Sequence, residues 1–125
     1  MVFVMEEKAR ASIEHGLLFC GAFAATQQIV HKIASEKGWW ETDRGDAEAL
    51  CLIHSEISEA LEAVRANYPE SEKIAPHGNF VEELADAVIR MMDLCEKRGL
   101  NLGEAIVKKI AYNATRPYKH GGKVL

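Results

Sequence analysis

Two segments of this chain repeat apolar residues at the spacing of an α-helix, and each carries two acids three residues apart beside its apolar face. The first segment reads LIHSEISEALEAVR (residues 52–65) and the second reads FVEELADAVIRMMDL (residues 80–94). Because an α-helix advances about 100° per residue, both acid pairs flank their apolar stripes at the same angle. If the two helices pack antiparallel by those stripes, four carboxylates meet at the rim of the interface. These acids are Glu56 and Glu59 on the first helix, and Glu83 and Asp86 on the second.

Carboxylates that converge repel one another, and a divalent cation would remove that repulsion. The residues three positions after Glu56 and Glu83 are acids and not histidines. Oxygen ligands of this kind favour Mg²⁺, with Mn²⁺ as a substitute, over zinc or iron. The sequence therefore predicts a Mg²⁺ site. The alternative interpretation, that both pairs are solvated helix surfaces, stays open because glutamate is a good helix former.

The whole chain is predicted to be all-α, because helical periodicity dominates and β-branched alternation is missing. Ser12, Asn79 and Asn101 are predicted N-caps, the last two with Glu82 and Glu104 in a capping-box pattern. The predicted helices span residues 12–37, 46–67, 79–98 and 101–114, with a proline loop at 68–78 and a basic, non-helical tail at 115–125. The expected architecture is a bundle of four to five helices in a single domain, residues 1–125.

Composition and charge limit the class of function. All 19 acidic residues lie before residue 105, and five of the 15 basic residues follow it. An acidic body with a basic C-terminal segment does not suit duplex DNA, but it suits a small anion held between a metal and a few cations. Cys20, Cys51 and Cys95 are far apart in the sequence, so each is predicted to be a small buried hydrophobe in a reducing cytoplasm and not part of a disulfide framework or a zinc site. The uncharged run at residues 16–30 is too short and too polar for a membrane span, so a membrane is not an expected partner. The acidic charge of the body makes a nucleic acid an unexpected partner as well.

Together these residues resemble the MazG-like, all-α nucleoside triphosphate pyrophosphohydrolases, whose signature is E-E-x-x-E, a spacer and E-E-x-x-D. The chain reads SEISE at residues 55–59 and EELAD at residues 82–86, with 22 residues between them, so it departs from the signature at Ser55. KKIAYNATRPYKHGGK is similar to the family's K-x-x-x-N-x-x-R tail, and EKGWW to its aromatic link. The resemblance implies a MazG-like bundle completed by dimerisation. It also implies Mg²⁺-dependent cleavage of a (deoxy)nucleoside triphosphate between its α and β phosphates, for nucleotide-pool house-cleaning.

The same resemblance implies roles for individual residues. The four acids would hold the metal, and either Glu59 or Glu56 would take the proton of the attacking water. The other candidates would bind the substrate. Its phosphate chain would be held by Lys109, Asn113, Arg116 and Tyr118. Its nucleobase would be contacted by Trp39, Trp40, His31 and Gln27, with Gln28 as the alternative to Gln27. Plainer roles are open for these residues: a solvated helix end for Lys109, core packing for the tryptophans and an exposed or satisfied side chain for His31.

Long apolar stripes, notably LLFCGAFAA, exceed what one small bundle buries, so a homodimer or a dimer of dimers is expected. Two rival functions stay open. One is phosphoribosyl-ATP pyrophosphohydrolase, which belongs to the same superfamily. The other is a non-catalytic helical interaction module whose acids are merely solvated.

Overall fold

A computed structural model describes the backbone of residues 2–124 and the side chains of residues 7–124. Over this range the chain is all-helical, which confirms the predicted fold class, and a bridge between Glu70 and Gly78 is its one β-type pairing. No helix in this range is both long and apolar enough to cross a membrane. The helices are α1 (Val2–Glu36), α2 (Asp46–Arg65), α3 (Asn79–Lys97), α4 (Leu102–Ala114) and the four-residue α5 (Lys119–Gly122).

The helix ends test the capping predictions. Asn101 caps α4 as predicted, because its side chain accepts a hydrogen bond from the Glu104 N–H at 3.0 Å. The prediction for Asn79 is wrong: Gly78 is the N-cap of α3, and Asn79 is the first helical residue. Ser12 is not a cap either, since it lies inside α1. The residues before it are mostly good helix formers with no glycine or proline, so nothing in them stops the helix.

The chain divides into two compact units. One unit takes the residues up to Thr26 and from Asn101 onward, and the other is Gln27–Leu100. In the first unit, a Cβ added to Gly103 would lie 3.1 Å from the Cβ of Phe23, so glycine allows α4 this close approach. The tail of the same unit contains α5, but all four of its residues have a positive φ, between 49° and 90°, so this short turn is not a right-handed α-helix and does not overturn the prediction of a non-helical tail. The expectation of a single domain stays a prediction.

Small side chains line the seam along which α2 and α3 pack. On α3, Ala87 is only 1% exposed. The two helices run antiparallel, because Asp46 at the start of α2 bonds Arg98 at the end of α3, and Glu56 near the middle bonds Arg90. Alanine allows two helix backbones to approach closely, and the seam therefore holds the side chains of both helices at short range. The buried residues of α2, at steps of three or four, are Ala49, Ile53, Glu56, Ala60 and Ala63.

The larger apolar side chains of α2 lie outside this seam, which corrects the predicted packing face. The periodicity of α2 predicts an apolar stripe of five residues, of which only Ile53 is buried: Leu50, Ile53, Ile57, Leu61 and Val64. On α3, Val88 and Met91 of the predicted stripe are also exposed. The face that packs is the one lined by alanines, since it permits the closer approach, and Glu56 consequently lies inside the seam. The exposed members on α2 are Leu50, Ile57, Leu61 and Val64, which are 37% to 51% exposed.

Arg98 ties the link between α1 and α2, residues 37–45, to the end of α3. Its Nε donates to Asp46 at 2.7 Å, and one terminal nitrogen donates to Asp43 at 3.1 Å. The other terminal nitrogen donates to the carbonyl oxygen of Arg44 at 2.8 Å. Because a guanidinium group offers its donors in a fixed fork, these bonds set the position of the link that carries both tryptophans.

Candidate metal centre

Glu56, Glu59 and Glu83 bring their carboxylates together where α2 and α3 pack. One oxygen from each lies within 4.8 Å of the others. Glu56 and Glu59 share a helix face because they are three residues apart, and the antiparallel α3 sets Glu83 opposite them. Asp86, the fourth predicted ligand, is not part of this group, but it lines the adjoining cavity together with Glu56. The structure thus brings three of the four predicted ligands together and places the fourth beside them.

Burial and mutual repulsion perturb the pKa values of these acids. The hydrogen bond that Glu59 shares with Glu56, followed by burial and the charge of Glu56, raises the pKa of Glu59 above its ordinary 4.5. Burial and then the charge of Glu59 raise the pKa of Glu83. Burial and then the charge of Glu56 raise the pKa of Asp86 above its ordinary 3.8. Acids that resist ionising together form a site that a divalent cation would stabilise.

Arg90 supplies a counter-charge to these acids from within the protein. Its Nε donates a hydrogen bond to Glu56 Oε1 at 2.5 Å. Burial works to raise the pKa of Glu56, but hydrogen bonding, above all that from Arg90, outweighs it, and the pKa is lowered. Sequence reasoning missed Arg90, although its place four residues after Asp86 puts both on one helix face and was an available signal.

Asp86→Asn is expected to raise the thermal midpoint of the metal-free protein at pH 7 by about 2–4 °C and to change it little at pH 4. The raised pKa of Asp86 means that folding favours its protonated form. That contribution is fully present below the ordinary pKa of 3.8 and is lost as the pH rises through the raised value. Asparagine stays neutral and removes the loss. Thermal denaturation in a chelating buffer at both pH values measures the difference, and equal shifts at the two values would contradict the raised pKa of Asp86.

A cavity of about 410 Å³ adjoins the carboxylates within the Gln27–Leu100 unit. Val30 and Ile33 from α1 and Ile89 from α3 contribute apolar lining, and Glu56, Asp86 and Asp93 contribute acidic lining. The cationic side chains of the lining come from Lys37, Arg44 and Arg90. A cavity of this size, with an apolar wall and a few polar groups, suits a small organic molecule that carries charge at one end.

Asp93 organises two of the residues that were predicted to contact a base. Its carboxylate accepts a hydrogen bond from Trp40 Nε1 at 2.9 Å and pairs with His31 Nδ1 at 2.7 Å. The guanidinium carbon of Arg44 lies 5.4 Å from the centre of the Trp39 ring and 5.2 Å from that of Trp40. Trp39 lines the cavity and is 60% exposed, so its ring is open to a ligand. Trp40 Nε1 and His31 Nδ1, by contrast, are already hydrogen-bonded to Asp93.

Gln27 is buried, and its side-chain amide donates to the Glu96 carboxylate at 2.9 Å and to the Leu100 carbonyl oxygen at 3.0 Å. It is not among the residues that line the cavity of the Gln27–Leu100 unit. Gln28, the alternative, is exposed. Gln27 therefore ties α1 to the chain just after α3, and contact of either glutamine with a base stays a prediction.

The four residues predicted to hold the phosphate chain lie in the other unit. Lys109 and Asn113 are on α4, and Arg116 and Tyr118 follow it. Within this unit, the Lys109 ammonium lies 4.6 Å from the centre of the Tyr112 ring, and the guanidinium carbon of Arg116 lies 5.9 Å from it. These distances are those of cation–π contacts. Binding of phosphate by these residues stays a prediction.

Comparison with protein-family models, with curated proteins and with solved structures finds no match for this chain. The case for the candidate metal centre therefore rests on the geometry of its own residues.

Proposed function

We propose that this chain hydrolyses (deoxy)nucleoside triphosphates to a nucleoside monophosphate and pyrophosphate in a Mg²⁺-dependent reaction. The observation that carries the proposal is that Glu56 and Asp86 stand beside the other acids and also line the cavity. A nucleotide needs both environments, since its phosphates require cations and its base requires an apolar surface. The resemblance to MazG-like enzymes supports the same reaction, with nucleotide-pool house-cleaning as its purpose. The three free cysteines fit a reducing cytoplasm, although Cys51 is exposed and not buried as predicted.

Glu56, Glu59, Glu83 and Asp86 would hold Mg²⁺, or Mn²⁺ in its place. The donor set fits these ions, because carboxylate oxygens are the ligands that both prefer. Bound cations would offset the charge that develops on the phosphate oxygens. The raised pKa values of Glu59, Glu83 and Asp86 support this role, since a cation would stabilise the ionised forms that hydrogen bonding, burial and neighbouring charge disfavour.

Glu59 is better suited than Glu56 to take a proton from the attacking water. Hydrogen bonding, led by that from Arg90, lowers the pKa of Glu56 and weakens it as a base, whereas the pKa of Glu59 is raised and its side chain is exposed. In the proposed step the water oxygen bonds to the α-phosphorus, and the bond from that phosphorus to the bridging oxygen breaks. Glu59 takes the water proton, and pyrophosphate leaves. Arg90, which lines the cavity, would donate to the α-phosphate.

The nucleoside would occupy the cavity with its base against the exposed ring of Trp39. A flat aromatic ring is a suitable partner for a base, and stacking of this kind is worth about 1–3 kcal/mol. Arg98 and Asp93 would act as positioning residues, the first through the link that carries Trp39 and the second through Trp40 and His31. The preference for one base over another would then depend on the polar side chains of the cavity, Lys37 and Arg44 among them.

The proposal includes a homodimer, or a dimer of dimers, that completes a MazG-like bundle. The support is the row of exposed apolar side chains on α2, which a second copy would cover. Two exposed valines on α3, Val81 and Val88, extend the same kind of surface. A two-fold pairing of this face with itself would bury both rows at once.

One observation favours a non-catalytic helical module as a second candidate. Arg90 pairs with Glu56, and Lys73 pairs with Glu82, so part of the acidic charge is balanced without a metal. Such a module would bind neither Mg²⁺ nor a nucleotide.

The proposal is tested by measuring pyrophosphate release from a panel of dNTPs and NTPs with Mg²⁺. We expect turnover of at least one triphosphate, with the matching monophosphate as the second product and full loss of activity in EDTA. Phosphoribosyl-ATP belongs in the panel, because turnover of that compound alone would favour the related pyrophosphohydrolase. If no compound is hydrolysed and Mg²⁺ does not change the thermal midpoint, the non-catalytic module is the better description.

A further inference from the structure

A buried serine organises the loop between α2 and α3. Ser71 is 1% exposed, and its hydroxyl oxygen accepts hydrogen bonds from the backbone N–H groups of Lys73 at 3.0 Å and Ile74 at 3.1 Å. The carbonyl oxygen of Pro69 accepts a bond from the N–H of Asn79, the first residue of α3, at 2.9 Å. The backbone at Lys73 is therefore held in a set position relative to the start of α3.

Lys73 places a positive charge beside the first of the clustered acids on α3. Its Nζ lies 3.2 Å from Glu82 Oε1, and Glu82 is buried and directly precedes Glu83. The hydrogen bond to Glu82, its charge and then the charges of Asp86 and Glu83 raise the pKa of Lys73. The side chain of Lys73 itself is 80% exposed, so its ammonium can turn from Glu82 to a ligand with little loss of packing. Glu82 then keeps its hydrogen bond with Ser71.

Lys73 and Arg90 stand at opposite ends of the acidic face of α3. The partner of Lys73, Glu82, precedes Arg90 by eight residues, which is about 12 Å along a helix. The cavity lies at the Arg90 end, because Arg90 and Asp86 line it, while Lys73, Glu82 and Glu83 are not among its lining residues. A nucleotide whose nucleoside occupied that cavity would therefore have Lys73 within reach if its phosphate chain ran past Arg90 along α3.

We propose that Lys73 binds the terminal phosphates of the nucleotide, the part that leaves as pyrophosphate. The inference rests on the proposed function, because it requires the nucleoside to occupy the cavity and the metal-binding acids to lie between Arg90 and Lys73. Without a ligand the ammonium pairs with Glu82. With a nucleotide bound it donates hydrogen bonds to the β or γ phosphate oxygens and stabilises the charge of the departing pyrophosphate. A nucleoside monophosphate ends near Arg90 and gains nothing from Lys73.

The test compares Lys73→Gln with a matched control, Lys32→Gln, in the full chain. Lys32 is also an exposed lysine paired with a glutamate, Glu36, but it lies on α1 and outside the cavity lining. Calorimetry with inorganic pyrophosphate and Mg²⁺ measures binding. We expect Lys73→Gln to weaken pyrophosphate binding about tenfold and Lys32→Gln to leave it unchanged. The affinity for a nucleoside monophosphate is expected to be the same in the wild type, Lys73→Gln and Lys32→Gln. The affinity for Mn²⁺ alone is also expected to be the same in all three, or slightly higher in Lys73→Gln.

Lys73→Arg keeps the positive charge and separates the proposed role from a structural one. It is expected to bind pyrophosphate nearly as well as the wild type, and a loss as large as that of Lys73→Gln would overturn the inference. Equal pyrophosphate affinity in Lys73→Gln and wild type would overturn it as well. The proposed function is decided separately, by pyrophosphate release from the wild type. An active wild type with an unaffected Lys73→Gln defeats the inference alone, whereas a wild type that neither turns over triphosphates nor binds pyrophosphate defeats both.

Discussion

Replacing Glu59 with glutamine is expected to lower kcat for pyrophosphate release at least about 100-fold, the usual contribution of a general base, while the protein stays folded. Glutamine has nearly the shape of glutamate but neither accepts the water proton nor contributes negative charge to a cation. The pKa of Glu59 is raised by its hydrogen bond to Glu56, by burial and by neighbouring charge, so the neutral side chain suits the metal-free fold. The thermal midpoint in a chelating buffer should therefore be equal to or above that of the wild type. The rise in thermal midpoint that Mg²⁺ causes should be smaller than in the wild type.

Glu62→Gln is the matched control for this experiment. Glu62 lies three residues further along α2, is exposed and accepts a hydrogen bond from Arg65 at 2.7 Å. Among the described residues it is not one of the acids that converge at the candidate metal centre, so its replacement should keep wild-type activity and the wild-type response to Mg²⁺. Equal activity in Glu59→Gln and Glu62→Gln would remove Glu59 from the proposed mechanism. Equal loss in both would point to damage of α2 as a whole.

Ala87→Leu is expected to lower the free energy of unfolding by about 1–3 kcal/mol, the usual cost of forcing extra carbon atoms into a packed interior. Ala87 is 1% exposed and lies four residues after Glu83 and three before Arg90, both of which interact with acids of α2. A larger side chain at this position pushes α2 and α3 apart. Because the carboxylates converge across the same seam, the wider spacing should also weaken the stabilisation by Mg²⁺. Urea denaturation with and without Mg²⁺ measures both effects.

Ala85→Leu provides the comparison, because Ala85 is exposed on the same helix. Leucine and alanine are both good helix formers, so this substitution should change stability little. If Ala85→Leu and Ala87→Leu are equally stable, the seam has more room than its burial indicates. If Ala87→Leu is destabilised but keeps its full response to Mg²⁺, the cation does not depend on the spacing of α2 and α3.

The two central helices were predictable from sequence because their apolar periodicity and their acids follow directly from 3.6 residues per turn. The choice of packing face was not predictable in the same way. Ile57 and Leu61 are more apolar than Ala60, yet the alanine face is buried, because close approach between two backbones depends on the volume of both partners. Glu56 is buried for the same reason, and its pairing with Arg90 depends on the antiparallel register.

Other parts of the candidate site depend on contacts that no local pattern carries. Lys73 lies in a loop, and its approach to Glu82 follows from the bonds that Ser71 makes inside that loop. Asp93 was not a predicted site residue, because its bonds to Trp40 and His31 join positions 53 and 62 residues apart in the sequence. Such contacts depend on how residues 37–45 and the C-terminal end of α1 pack against α3.

If the exposed apolar face of α2 pairs as proposed, the stability of this protein depends on its concentration. In the proposed homodimer a second copy covers Leu50, Ile57, Leu61 and Val64, and the free energy of association adds to that of folding. Each tenfold rise in protein concentration then adds about 1.4 kcal/mol to the stability of the dimer. The carboxylate group is built by the same helix that carries this face. Dilution would thus loosen the metal centre together with the fold, and the abundance of the protein in a cell would govern how much of it is competent to bind a nucleotide.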